Sequence, residues 1–369
     1  GIRDHCVTGV QTCALPILEN EHRAAVDEAW RAFGDPRRIV AVHDTSPRVS
    51  TNTVYRIDLD APDANGVRRV FAKVSSYGSY FLFSEDHDRL YRCRTLLADT
   101  RFAEFLAPVL GHDDRPFTHY DGRLWVAFYN EARRGETLPP QLDVSQTRCL
   151  AREMAEFHAA CTAIAPSIPA TSNSIKADAI HLLDLLSSPF APRNFDLSPE
   201  HVGALWRATH DFLLELERIR YDSWTRIPIL VDWNLGNFSV TSNSDGFRLH
   251  SRWDYDWFRV ESRMLDFYFL SRVSSATGDR THWTYSPHTL VEPSFVEFVR
   301  AYHAVNPLHE DEIRFLPAAF TFFILNYVVR EGSRFFRPDL CAKFRNDAAR
   351  VYLPAAARLD VSPLLRVIQ

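Results

Sequence analysis

Val231-Asp232-Trp233-Asn234-Leu235-Gly236-Asn237, followed by Trp253-Asp254-Tyr255-Asp256, is the pair of segments on which the reading of this chain turns. The first puts an Asp and an Asn five positions apart, and the second supplies an acid 17 residues beyond that Asn. Phosphoryl transfer needs a carboxylate to orient and deprotonate the attacking hydroxyl, and oxygen ligands for Mg²⁺. Asp-x-x-x-x-Asn alone is a weak signal, because roughly one such pair is expected by chance in a chain of this length. Its surroundings carry the argument. Ile227, Ile229, Leu230 and Val231 form an apolar run into the loop, and Phe238-Ser239-Val240 leave it as a short strand. Ser242-Asn243-Ser244-Asp245-Gly246 reads as a turn, after which Phe247 and Leu249 alternate with polar residues up to Trp253-Asp254. Loop, strand, turn, strand and loop would return Asp254 to the side of Asn237.

These segments resemble the aminoglycoside phosphotransferase and choline kinase group, small-molecule kinases with the protein-kinase fold. That group carries His-Gly-Asp-x-x-x-x-Asn, then an Asp in an Ile-Asp-aromatic-acid pattern, then a structural Asp about 12 residues later. The resemblance implies Asp232 as catalytic base, Asn237 and Asp254 as metal ligands, and Asp256 as the trailing acid. It implies that Asp266 is structural and hydrogen-bonds the loop; His158, near the end of a long helix that resembles the group's, reads as a packing residue, as a lone His on such a helix more often is. Leu230-Val231 stand where the group has His-Gly, which puts the geometry of the loop in question more than its chemistry.

Upstream, Val54 to Leu59 alternates with Tyr55, Ile57 and Leu59 on one face, Asp63-Ala64-Asn65-Gly66 is a hairpin turn, and Val67 to Val74 returns as a second strand. Lys73 lies on that strand, and burying it is costly unless an anion awaits it. In a kinase-like fold it pairs with nucleotide phosphates and with an acid of the next helix. Glu85, Asp86 and Asp88 are the candidates, with Glu85 preferred for residue type. A phosphate loop is expected before Tyr55, where Ser50, Thr51 and Asn52 offer hydroxyls and backbone amides without any Gly; a plain hairpin turn is the equal reading. The apolar strand Leu124 to Tyr129 is followed by a polar connector, and adenine is expected on backbone atoms between Tyr129 and Glu131. Helices are expected at about 144–163, 175–186, 199–219, 293–305 and 310–329.

The fold class that follows is α+β, a protein-kinase-like two-lobed fold with a small antiparallel sheet in the N-lobe (residues 18–129) and a mainly helical C-lobe (130–369). Residues 1–17 resemble the translation of a sequencing adaptor and are expected to be a non-native tail. With 369 residues, 46% hydrophobic and 24% charged, the chain can bury a sizeable core. Its net charge of −5 with no basic run argues against nucleic acid as a partner. The apolar stretch from Phe315 to Val329, interrupted by Pro317 and Asn326, reads as too short to span a bilayer. Cys93, Cys149, Cys161 and Cys341 lack Cys-x-x-Cys spacing, which suggests free thiols in a cytoplasmic protein.

The expected function is transfer of the γ-phosphate of ATP, or of GTP, to a hydroxyl of a small molecule, with Mg²⁺ as cofactor. An aminoglycoside, choline or ethanolamine, homoserine and a sugar all stay open as acceptors. Trp233, Trp253, Tyr255, Trp257 and Phe258 could wall the acceptor or simply pack. Two other readings stand beside this one. One is a catalytically inactive nucleotide-binding pseudokinase. The other is a metal-dependent phosphate-ester hydrolase using Asp232, Asp254 and Asp256.

Overall fold

The computed structural model describes residues 15–46, 52–64, 66–279 and 285–369. The chain divides into two compact units, one made of residues up to Phe83 with Val109–Glu131, the other of Ser84–Pro108 with Ala132–Gln369.

The first unit is an antiparallel five-stranded sheet under one helix. Its strands are β1 (Ile39–Asp44), β2 (Thr53–Leu59), β3 (Arg69–Ser75), β4 (Thr118–Tyr120) and β5 (Trp125–Asn130), in the spatial order β1-β2-β3-β5-β4. Alternation dictates the faces. Tyr55, Ile57 and Leu59 of β2 and Val70, Ala72 and Val74 of β3 are buried in one apolar core with Val126 and Phe128. Helix α1 (Leu15–Phe33) closes that core with Ala25, Val26, Ala29, Trp30 and Phe33, which recur at helical spacing. It begins at Leu15, inside the stretch expected to be a non-native tail. Val67 N–H donates to the Asp63 side chain at 2.8 Å and Gly66 has φ +81°, so the β2–β3 turn forms where the Asp-Ala-Asn-Gly run places it.

The second unit is mainly helical. Helix α2 (Tyr80–Leu96) runs into it, and helix α3 (Val144–Ile164) opens with a capping box in which Asp143 accepts from Gln146 N–H and the Gln146 side chain bonds back to Asp143 N–H. Asp143→Ala should destabilise the protein by about 1 kcal/mol, read as a lowered denaturant midpoint with an unchanged m-value; no shift in midpoint would show that the cap carries no energy. Further helices run over Ile175–Ser187, Pro199–Arg218, Phe267–Ser274 and Pro293–His303. Two small antiparallel pairs complete the unit: β6 (Ile227–Ile229) with β9 (Arg259–Glu261), and β7 (Phe238–Asn243) with β8 (Gly246–Arg252). Gly246 needs to be glycine twice over, since its φ is +126° and a Cβ there would meet Cys149 Sγ at 2.9 Å.

One expectation is corrected. Helix Glu310–Phe323 continues directly into a π-helical segment, Ile324–Arg330. The run of 21 residues is long and apolar enough to cross a membrane by length and composition. Pro317 and Asn326 do not interrupt it as the sequence suggested. Its apolar window is 72% buried inside the protein, as a core helix of this composition is.

Candidate active site

The site is built on the connection between β6 and β7. Strand β6 ends at Ile229, and the chain then makes two successive tight turns, Asp232 N–H to Leu230 O at 2.7 Å and Trp233 N–H to Val231 O at 3.1 Å. Val231 has φ +58°, a left-handed conformation that a β-branched residue adopts only under constraint. This is the position where the resembled kinases carry Gly. The constraint is Asp266, whose Oδ1 accepts Val231 N–H at 2.7 Å. Its Oδ2 lies 2.9 Å from His158 Nε2, and His158 Nδ1 lies 2.8 Å from the Tyr302 hydroxyl. Asp266, His158 and Tyr302 are all 0% exposed, so a buried relay ties the loop to two helices.

A 3₁₀ turn, Leu235–Asn237, follows. Asp279 Oδ2 accepts Leu235 N–H at 2.7 Å and so anchors its start. Asn237 donates its side-chain amide to Asp232 O at 3.4 Å, which leaves its oxygen as the group able to hold a metal. The β7–β8 hairpin then brings the chain back, and Trp253 N–H donates to Asn237 O at 3.1 Å. Asp254 is thereby set beside Asn237, as the strand–turn–strand pattern implied. The buried Arg252 locks the two segments together, donating to Asp232 O at 2.7 Å and Asp254 O at 3.3 Å, with its guanidinium 4.8 Å from the Trp233 ring centre. Asp254 has φ +68°, and its Oδ1 accepts Asp256 N–H at 3.2 Å, so Asp256 helps shape this turn.

Desolvation raises the Asp232 carboxyl above the ordinary carboxylate range, against the pull of Arg252, the Asn234 N–H, Arg272 and Asn237. Burial raises Asp279 in the same way, against its bond to Leu235 N–H and the nearby Arg272. Among the described residues no three His, Cys, Asp or Glu side chains form a metal cage. Asn237 and Asp254 are two hard oxygen donors, which suits Mg²⁺, an ion that keeps waters and substrate phosphates as its other ligands.

The remaining predicted residues lie elsewhere in the fold. In the first unit Lys73 sits mid-strand on β3, paired in register with Val54 and Ala127 and only 9% exposed, on the face opposite the α1 core. Tyr129 is buried on β5, and Glu131, just beyond that strand, lies 3.8 Å from the Arg69 guanidinium. Asn52 is half-buried just before β2, and Ser50 and Thr51 lie outside the described residues. Glu85, in the second unit, accepts Ser172 N–H at 3.0 Å and is also engaged by the Ser172 hydroxyl and Arg89. Of the aromatics, Trp233 is 0% exposed among Phe105, Phe157 and Phe238, and is core. Trp257 stacks on Tyr327 at 4.4 Å, while Trp253 is 36% exposed. Arg252 and Asp279 were not anticipated; nothing in their local sequence marks them.

No protein-family model and no curated protein matches this chain. Solved structures do. A microcompartment-associated aminopropanol kinase is 17% identical, covers 94% of this chain and 99% of its own, and superposes with a TM-score of 0.58. Amicoumacin kinase, solved with AMP-PNP and Ca²⁺, is 12% identical over 94% and 99%, with a TM-score of 0.62. An aminoglycoside phosphotransferase solved with GDP and kanamycin is 15% identical over 90% and 99%, with a TM-score of 0.56. The chain has the fold of these small-molecule kinases. At such identities the likeness is one of fold, and chemistry has to be argued from the residues. In this kinase-like chain the loop of Asp232 and Asn237, the return of Asp254 and the Asp266 anchor are the residues that argue it.

Proposed function

We propose that this chain is a phosphotransferase that moves the γ-phosphate of ATP or GTP to a hydroxyl of a small molecule, with Mg²⁺ as cofactor. The observation that carries the reading is the Trp253 N–H to Asn237 O bond, which sets Asp254 beside the loop that presents Asp232. The structural neighbours include one holding AMP-PNP and one holding GDP, which supports a nucleotide as donor and leaves its base open. Lys73, buried on a strand, is assigned to nucleotide phosphate, Tyr129 and Glu131 to the base by backbone contact, and Asn52 with Ser50 and Thr51 to the phosphate loop. Asn237 and Asp254 are assigned to Mg²⁺, which when bound supplies charge neutralisation at the phosphate oxygens. Asp232 orients the acceptor hydroxyl and takes its proton as the O–P bond forms. Its raised pKa brings it closer to neutrality, where a base works best. Arg252 and Asp266 hold the loop, so positioning supplies much of the rate. A cytoplasmic location is part of this proposal and rests on cysteine spacing alone.

The test is a thermal-shift titration with ATP and GTP, each with and without Mg²⁺. Saturable, Mg²⁺-dependent stabilisation is expected, about 2.7 kcal/mol at a hundredfold excess over Kd, and Asp254→Ala should remove the Mg²⁺ dependence. Absence of stabilisation at millimolar nucleotide would overturn the reading.

A further inference from the structure

The turn that carries Asn237 has no cap of its own. Asn234 precedes the 3₁₀ turn Leu235–Asn237 and makes no side-chain bond to it. The first N–H groups of a helical turn still need acceptors. Two carboxylates share them. Asp232 Oδ1 takes Asn234 N–H at 3.2 Å, and Asp279 Oδ2 takes Leu235 N–H at 2.7 Å. Asp279 is itself held, since its own N–H donates to Pro140 O at 2.7 Å. The stretch before it is tied down at Ala276, whose O accepts from the Gln141 side chain at 2.9 Å and whose N–H donates to Glu292 Oε2 at 3.0 Å. The cap therefore reaches the loop from outside, on a segment with its own anchors.

An aspartate three positions before a helical N–H is an ordinary acceptor for it. This chain uses that spacing at Asp143, which takes Gln146 N–H at 2.8 Å. Asp232 stands three positions before Leu235 and already accepts the N–H of Asn234, the residue just before it. Without Asp279, Leu235 N–H would be an orphan donor beside a carboxylate able to take it, and that carboxylate is the one assigned to the acceptor hydroxyl. A carboxylate that takes two N–H groups of its own loop has fewer lone pairs aimed at a substrate.

We propose that Asp279 is a positioning residue: by taking Leu235 N–H it keeps the Asp232 carboxylate from capping its own loop and leaves it directed at the acceptor hydroxyl. The inference rests on the phosphotransferase reading for what Asp232 does, and deepens it by naming what keeps Asp232 free to do it.

The experiment compares the full chain as wild type, Asp279→Ala, Asp279→Asn, Asp232→Asn and the double variant carrying Asp279→Ala with Asp232→Asn. Turnover is read as phosphate released from ATP with Mg²⁺, water serving as the acceptor, at a temperature where every variant is folded. Asp279→Ala should lower kcat roughly 10- to 100-fold with KM for ATP unchanged. Asp279→Asn keeps an oxygen for Leu235 N–H and should recover most of that rate. With Asp232→Asn there is no base left to keep free, so adding Asp279→Ala should cost less than about 2-fold. A crystal structure of Asp279→Ala should show the Asp232 carboxylate on Leu235 N–H, and it decides alone where turnover is too slow to read. Asp279→Ser, whose oxygen stops short of Leu235, replaces Ala in every arm if the Ala variant does not fold. Unchanged kcat in Asp279→Ala overturns the proposal, and so does an Asp232 carboxylate that stays where it was. An equal loss in both backgrounds also overturns it and makes Asp279 a structural cap only. If the wild type releases no phosphate while the variant crystal shows Asp232 on Leu235 N–H, the phosphotransferase reading fails and the capping role of Asp279 stands.

Discussion

Asp232→Asn should lower phosphotransfer by roughly 10²- to 10⁴-fold while leaving nucleotide binding intact. The substitution keeps the shape and an oxygen to accept Asn234 N–H. It does not touch the backbone carbonyl that receives Arg252 and Asn237, so the loop should hold. What it removes is the negative charge that the proposed function assigns to taking the proton. The same charge is unfavourable to the fold, since desolvation raises the Asp232 pKa above its unfolded value. A carboxyl with a raised folded pKa binds its proton more tightly in the native state, so stability falls as pH rises from the unfolded to the folded pKa. Near neutrality the Asn variant should therefore melt no lower than the wild type. The acid limb of kcat/KM in the wild type should lie above the ordinary carboxylate range for the same reason. A variant that retained wild-type turnover would remove Asp232 from the role of base. One that lost nucleotide binding along with turnover would give it a different role.

Much of this site is legible in the sequence because it is local. Asp232 and Asn237 lie five positions apart in one loop, and the hairpin that returns Asp254 is written in alternation and in the Asp-Gly turn. The capped helix after Asp143 and the β2–β3 hairpin are local in the same sense. What the sequence hides comes from far along the chain. Asp279 reaches back 44 positions to Leu235, and Glu85 is engaged by Ser172, 87 positions on. Neither partner shows in a window of residues. Val231 is hidden for another reason. Its left-handed φ contradicts the preference of its residue type, and only the buried acceptor on Asp266 makes that conformation hold. The aromatics illustrate the limit of composition. Trp233 and Trp257 read alike as candidate walls, yet Trp233 is sealed among Phe105, Phe157 and Phe238, while Trp257 stacks on Tyr327.

Asp266→Ala should be the most damaging single substitution for stability, costing about 3–5 kcal/mol of a total that is typically ~5–15 kcal/mol. The carboxylate is 0% exposed and serves two groups, Val231 N–H at 2.7 Å and His158 Nε2 at 2.9 Å. Truncation leaves both without a partner where water cannot replace it, and each orphaned polar group is worth about 1–3 kcal/mol. Catalysis should fall as well, by roughly 10²-fold in kcat, in the fraction that still folds. Val231 holds φ +58° against a strain of about 1–3 kcal/mol, and Asp266 supplies the bond that opposes its relaxation. Once that bond is gone the backbone can relax, and Asp232, the next residue, moves with it. Asp266→Asn separates the two contributions. Its amide oxygen can still accept Val231 N–H, and its NH₂ can donate to His158 if the imidazole turns its own proton toward Tyr302. The Asn variant should therefore keep most of the loop geometry and lose less stability than Ala. Denaturant midpoints and kcat for the two variants decide it. An Ala variant that melts with the wild type would show that the buried relay does not carry the loop, and equal losses in Ala and Asn would show that charge, not hydrogen-bond geometry, holds Val231 in place.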